Sequence, residues 1–222
     1  MQIQNSLKSA SSPKFNGIHI ANARNCIKNA ETNISLYQIT RNDRAFLQKL
    51  RNTIKMNELM PDAKIIKSEF DRWQEMLNVA LDKALNSDRK CFIAAKDNKP
   101  CGIITFQPGK NKYHLDCICT WPVETGKKVV LAGQTLFKQM FTDFLGSKAN
   151  ILSLDAILNG PFDTVSKYSR LGFKQVGGEN WLVAMRTNRD TTEKTMKHLN
   201  NIINTTPTNS NKELNLLETL DL

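Results

Sequence analysis

Tyr113 to Phe137 reads YHLDCICTWPVETGKKVVLAGQTLF, and the fold turns on this stretch. The apolar run Tyr113 to Thr120 predicts a strand, and Pro122 ends it. A polar loop, Glu124 to Lys128, leads into a helix expected near Val130 to Leu145, with Gly146 as its C-cap. The apolar positions of that helix are Leu136, Phe137, Met140, Phe141, Phe144 and Leu145. A helix start offers unpaired backbone N–H groups and partial positive charge, which together suit a phosphate. Lys127 and Lys128 add charge there, and Gly133 removes a side chain where the backbone must come close. The plainer reading of the same residues is a solvated loop with two unattached lysines.

Upstream, Cys91–Ala95 and Cys101–Phe106 flank the turn Lys96-Asp97-Asn98-Lys99-Pro100 and predict a hairpin. Ser68-x-x-Asp71 reads as the start of a helix whose face is Phe70, Trp73, Leu77, Ala80, Leu81, Ala84 and Leu85. Thr40-x-x-Asp43 reads as a capping box before Phe46, Leu47, Leu50 and Ile54, and that helix ends before Pro61. Ile34 to Ile39 is a short strand. Downstream, Ile151–Ala156 is a strand, and a short helix runs from about Phe162 to Leu171 and stops at Gly172. Phe173–Val176 and Trp181–Arg186 are expected to pair around Gly177-Gly178. The order predicts an α/β fold, a mixed α+β sheet with helices on both faces. Residues 1–33 read as a flexible basic leader rich in Ser and Asn, 34–187 as the folded domain, and 188–222 as a polar tail. Leu214, Leu216, Leu217 and Leu220 could form a short end helix there.

Tyr168-Ser169-Arg170-Leu171-Gly172-Phe173 closes the short helix in the pattern Tyr-x-x-x-Gly-Phe. With this motif and the element order, residues 34–187 resemble the GNAT (general-control-related N-acetyltransferase) acyltransferase superfamily. The family's cofactor loop, Arg/Gln-x-x-Gly-x-Gly/Ala, is matched by Lys128-Val129-Val130-Leu131-Ala132-Gly133. Lys128 stands at its basic position and Leu131 at its first glycine. The resemblance implies a twisted, mostly antiparallel sheet and acetyl transfer from acetyl-CoA to an amine by direct attack, with no metal. It implies that Lys127, Lys128, Val129, Val130, Leu131, Ala132, Gly133 and Gln134 hold the cofactor's pyrophosphate. The backbone of Ile118, Cys119 and Thr120 would meet the thioester. Tyr168 would protonate the leaving thiolate, and Asp116 would serve as base, with His114 and Ile118 its neighbours at alternate positions. Each also has a plain reading: Tyr168 as a packing tyrosine, Asp116 as a structural carboxylate, His114 as a core-edge histidine. Asp155 is a rival carboxylate on the following strand.

Lys+Arg number 31 against 21 Asp+Glu, a formal net charge of +10. That favours acidic partners or a polyphosphate cofactor, and it disfavours polycationic acceptors. The basic residues are scattered without a long run, so a nucleic-acid stripe is not expected. No apolar run approaches the ~18 residues of a membrane helix. Five cysteines, four of them in apolar runs, fit reduced core residues and a cytoplasmic compartment. Cys117-x-Cys119 lacks the spacing and second pair of a zinc site. The acid-poor leader fits an ordinary tail, a transit peptide, or the export leader of a bacterial effector delivered into a host through a specialised secretion system. Two readings of function stand: an N-acetyltransferase acting on a small-molecule amine or a protein amine, or a catalytically inactive binding module of the same fold.

Overall fold

The hairpin expected around Asp97 and Asn98 forms the middle of a nine-stranded sheet. The computed structural model describes residues 15–26, 33–61, 64–158 and 162–208. Strands β3 (Lys90–Lys96) and β4 (Lys99–Gln107) are joined by Asp97 and Asn98, both at positive φ. A two-residue turn of that hand matches the right-handed strand twist. β2 (Asn33–Gln38) pairs with β3, and β5 (Lys112–Thr120) with β4. β6 (Ile151–Ile157) lies parallel to β5, while β8 (Leu182–Asn188) runs antiparallel between β6 and β7 (Lys174–Glu179).

Helices α1 (Arg44–Thr53), α2 (Met56–Leu59) and α3 (Lys67–Lys83) pack on one face of the sheet, burying Phe46, Leu50, Trp73, Leu77 and Leu81. The other face carries α4 (Ala132–Leu145), α5 (Thr164–Arg170) and α6 (Arg189–Ile202), around Leu136, Met140, Phe141 and Phe144. Asp43 closes the predicted capping box, taking the N–H of Thr40 at 2.8 Å and its hydroxyl at 2.7 Å. α3 opens one residue before Ser68, where the Glu69 carboxylate caps Ile66 N at 3.1 Å. Among the described residues no helix is long and apolar enough to cross a membrane.

Residues 18–25, read as leader, form β1 (Ile18–Asn25), which pairs with β2 and with β9 (Ile203–Pro207). Ala21 and Ala23 join the α4-side core and His19 stacks on Tyr37, whereas Ile18 is exposed and Ile20 is only partly buried, so the strand carries no alternating apolar signal. Phe15 is fully buried against Tyr37 and Phe46. Part of the predicted tail is likewise built into the fold, as α6 and β9. The closing hairpin turns at Asn180, which takes a positive φ, and Gly177 and Gly178 lie inside β7 beside a bulge. The first 14 residues and the leucines beyond 208 lie outside the described residues.

Candidate active site

β5 carries one extra residue. Leu115 pairs with Phe106 and Cys117 with Thr105, which leaves Asp116 as a bulge. The bulge switches which residues face α3. Tyr113 and Leu115 join the core on the α4 side, while Cys117 and Cys119 point to α3. Parallel pairing with β6 stops at Leu115 and Leu154, so the two strands part from Asp116 and Asp155 onward.

Trp121 N donates to Cys101 O, which directs the main-chain groups of Cys119 and Trp121 to β4. Those of Ile118 and Thr120 therefore face the opening. Thr120 O already accepts from Trp73 Nε1 at 3.2 Å, and the Phe162 ring meets Trp73 edge-on at 5.2 Å. The Ile118 side chain packs on the α4 side, and the Cys119 thiol lies 4.0 Å from Trp73 O. Burial pushes the Cys119, Cys91 and Cys101 thiols up to about 12, so they stay protonated in the core.

Beyond β5 the loop makes a tight turn. Gly126, at φ +75°, donates its N–H to Leu59 O at 2.9 Å. Lys127 Nζ lies 2.7 Å from the Glu124 carboxylate, so its charge is locally matched on the surface. Lys128 Nζ stands 5.5 Å from the centroid of the Phe162 ring, and Lys167 Nζ 4.4 Å from it. Val129 is half-buried and Val130 is 53% exposed.

Leu131 then takes a left-handed conformation, φ +68° and ψ −3°, and caps α4. Its side chain is buried in the core, away from the loop surface. The first helical bond runs from Thr135 N to Leu131 O at 2.8 Å, so the N–H groups of Ala132, Gly133 and Gln134 have no helical acceptor. A Cβ on Gly133 would meet only Thr120 Cγ2, at 3.8 Å, so there is room beside this turn of the helix.

Tyr168 reaches toward the opening from α5. Its ring packs edge-on against Phe137 at 5.8 Å and Phe173 at 6.2 Å. Burial pushes its phenol well above the ordinary value, with the Cys117 and Cys119 thiols near enough to add to the shift. Asp116 has a structural occupation. Its side chain is 3% exposed and is gripped by Arg89 Nε at 2.7 Å and Lys83 Nζ at 3.0 Å. The geometry favours the structural reading of Asp116 over the expected base: a carboxylate holding two cations is poorly placed to take a substrate proton. His114, two residues earlier, is free of such a clamp. Its Nδ1 lies 3.0 Å from Ser153 Oγ, whose hydroxyl donates to Tyr113 O at 3.2 Å, so Nδ1 carries the donated proton. Nε2 is left as an acceptor, 4.0 Å from Asp155. Burial lowers the imidazole's pKa, outweighing the pull of Asp155 and Asp116.

No protein-family profile matches the chain, and no curated protein matches it. Solved structures do. PaiA N-acetyltransferase from Thermoplasma acidophilum, in complex with coenzyme A, is similar over 70% of this chain and 98% of that one, with 17% identity and a TM-score of 0.52. An uncharacterized protein from Bacillus halodurans is similar over 82% of this chain and 96% of that one, with 10% identity and a TM-score of 0.53. FdhC in its apo form, a nucleotide-linked sugar GNAT, is similar over 85% and 97%, with 13% identity and a TM-score of 0.51. This chain has the GNAT fold. Within that fold, Leu131 keeps the left-handed backbone that its pattern assigns to glycine, and it turns its bulk inward. Such a conformation costs a non-glycine residue on the order of 1–2 kcal/mol. Trp73, Phe162 and Lys167 are neighbours of the site that no local motif marks. The signal for Trp73 was its place on an apolar helix face, which reads only as core.

Proposed function

We propose that the chain transfers an acetyl group from acetyl-CoA to an amine. The observation that carries the reading is the start of α4: three unpaired N–H groups and room at Gly133, beside the parting of β5 and β6. The main chain of Ala132, Gly133 and Gln134 would hold the pyrophosphate, and Lys128 and Lys167 would add charge at its edge. Backbone groups of Ile118 would orient the pantetheine arm, with Thr120 doing so once Trp73 yields its carbonyl. When bound, acetyl-CoA supplies the activated acyl group. Tyr168 stays protonated and serves as the proton donor to the departing sulfur. His114 Nε2 accepts the proton of the incoming ammonium, directly or through water, in place of Asp116.

The inactive reading has one observation in its favour: Trp73 and Phe162 already occupy the Thr120 side of the opening. The two readings separate on one assay, release of free thiol from acetyl-CoA against a panel of primary amines. The enzyme reading expects turnover, and it expects Tyr168→Phe to lower kcat by about 10²-fold or more while leaving acetyl-CoA affinity in place. Absence of turnover with every amine, together with absence of acetyl-CoA binding, favours the binding module.

A further inference from the structure

The uncovered part of the sheet beside α3 describes the amine. Leu152, Leu154 and Ala156 of β6 enter the core on the α4 side, so Ser153, Asp155 and Ile157 share the opposite face. α3 lies over β5 along that face: Cys117 Sγ is 3.1 Å from Met76 O, and Trp73 reaches Thr120. A groove of about 450 Å³ remains between α3 and β6, lined by Arg72, Glu75, Met76, Val79, Ile157 and Trp181. Ile157, its one β6 residue, lies three positions past the last β5–β6 pair, so the groove sits beyond the point where the strands diverge.

The groove's lining is mixed. Arg72 and Glu75 bring one charge of each sign. Its walls are Met76, Val79, Ile157 and the Trp181 indole, which is 54% exposed at the turn between β7 and β8. Asp155 is half-exposed and lies two residues before Ile157 on the same face of β6, nearer the β5–β6 pairs, with its carboxylate 4.0 Å from the neutral His114 Nε2. Asp155 lies one residue past the last β5–β6 pair, level with the point of divergence.

We propose that the acceptor is a small primary amine with an aromatic body, its ammonium against Asp155 and its ring against Trp181, Met76 and Val79. The proposal rests on the acetyl-transfer reading and names its substrate class. Apolar walls would strip water from the second ammonium of a polyamine or the hydroxyls of an aminosugar without replacing the lost hydrogen bonds. An aromatic ring loses nothing there and gains stacking on the indole. The Asp155 carboxylate gives the ammonium a charge-assisted partner. The volume is of small-molecule size.

The test is a titration of the full chain with 2-phenylethylamine, ethylamine, spermidine and glucosamine, followed by calorimetry and by indole fluorescence. Trp181 is exposed while Trp73 and Trp121 are buried, and the part of the quenching lost in Trp181→Ala is the part that reports on Trp181. 2-Phenylethylamine is expected to bind about ten-fold or more tightly than the other three, in line with burial of its ring. Trp181→Ala is expected to weaken it at least about five-fold by calorimetry, and Asp155→Asn to weaken it as well. Equal affinity for all four amines, or affinity indifferent to both variants, overturns the proposal. So does tighter binding of a lysine-containing peptide than of 2-phenylethylamine. Coenzyme A is titrated separately. A chain that binds 2-phenylethylamine but not coenzyme A defeats acetyl transfer and leaves the groove's preference standing. A chain that binds coenzyme A but no aromatic amine defeats the groove proposal alone.

Discussion

At the scale of the residue, the proposed mechanism gives His114 the role that the family resemblance suggests for Asp116. Both sit on β5 at alternate positions, and a sequence shows two titratable side chains on one strand face. What separates them is distant in the chain. Arg89 and Lys83 come from before β3 and from the end of α3, and they close on Asp116, which alternation along β5 turns toward α3 as it does His114. Asp116→Asn should therefore act on stability. Breaking a buried pair costs ~3–5 kcal/mol, and the low end applies here because Lys83 is 37% exposed. Urea unfolding measures it, and an unchanged midpoint with abolished turnover would restore Asp116 as the base. For His114 the expected signature is a pH profile. Its folded pKa lies below the ordinary value, so the neutral base persists to lower pH than a free imidazole. Activity should fall only as pH drops below about 6.5, the reference value. His114→Gln should remove that limb along with most of the rate. The same shift makes the folded chain bind fewer protons than the unfolded one. Its stabilising effect is complete above the unfolded pKa and declines as pH falls from there to the folded pKa.

At the scale of the element, legibility followed the apolar pattern. The α3 stripe, the β3–β4 hairpin and the Thr40 box are written in local spacing, and all three are present. β1 is not, because its buried positions are a histidine and two alanines while Ile18 is exposed and Ile20 only partly buried. α6 buries only Thr192 and Leu199, too few for a periodic signal. The opening of the site was half legible. The strand–loop–helix order and Gly133 pointed to α4, whereas a left-handed Leu131 contradicts propensity and is visible only in the backbone. The anchoring of β1 carries its own expectation. Phe15→Ala should cost about 3–5 kcal/mol, as for a large ring removed from a core. Removing residues 1–26 should lower the urea midpoint below that of a chain lacking residues 1–14 alone. Equal midpoints for the two truncations would mean that β1 contributes nothing to the sheet.

At the scale of the molecule, the sheet does two jobs with one irregularity. Where β5 and β6 separate, one side opens toward the start of α4 and its unpaired donors, and the other toward the groove beside α3. A net charge of +10 supplies a general attraction for a polyanion, but in the proposed reading the cofactor's position depends on a few N–H groups at one helix end. The most direct measurement is calorimetric titration of the chain and of Gly133→Asp with acetyl-CoA. The substitution has room, since a Cβ there meets nothing closer than 3.8 Å, and an acid in the first turn favours the helix. Its melting temperature should be unchanged or raised, so lost binding cannot be lost folding. One acetyl-CoA bound per native chain, with affinity reduced about ten-fold or more by the new carboxylate, is the expected result. Native and variant chains that bind acetyl-CoA equally, or a native chain that does not bind it at millimolar concentration, would contradict the assignment of this helix start as the cofactor site.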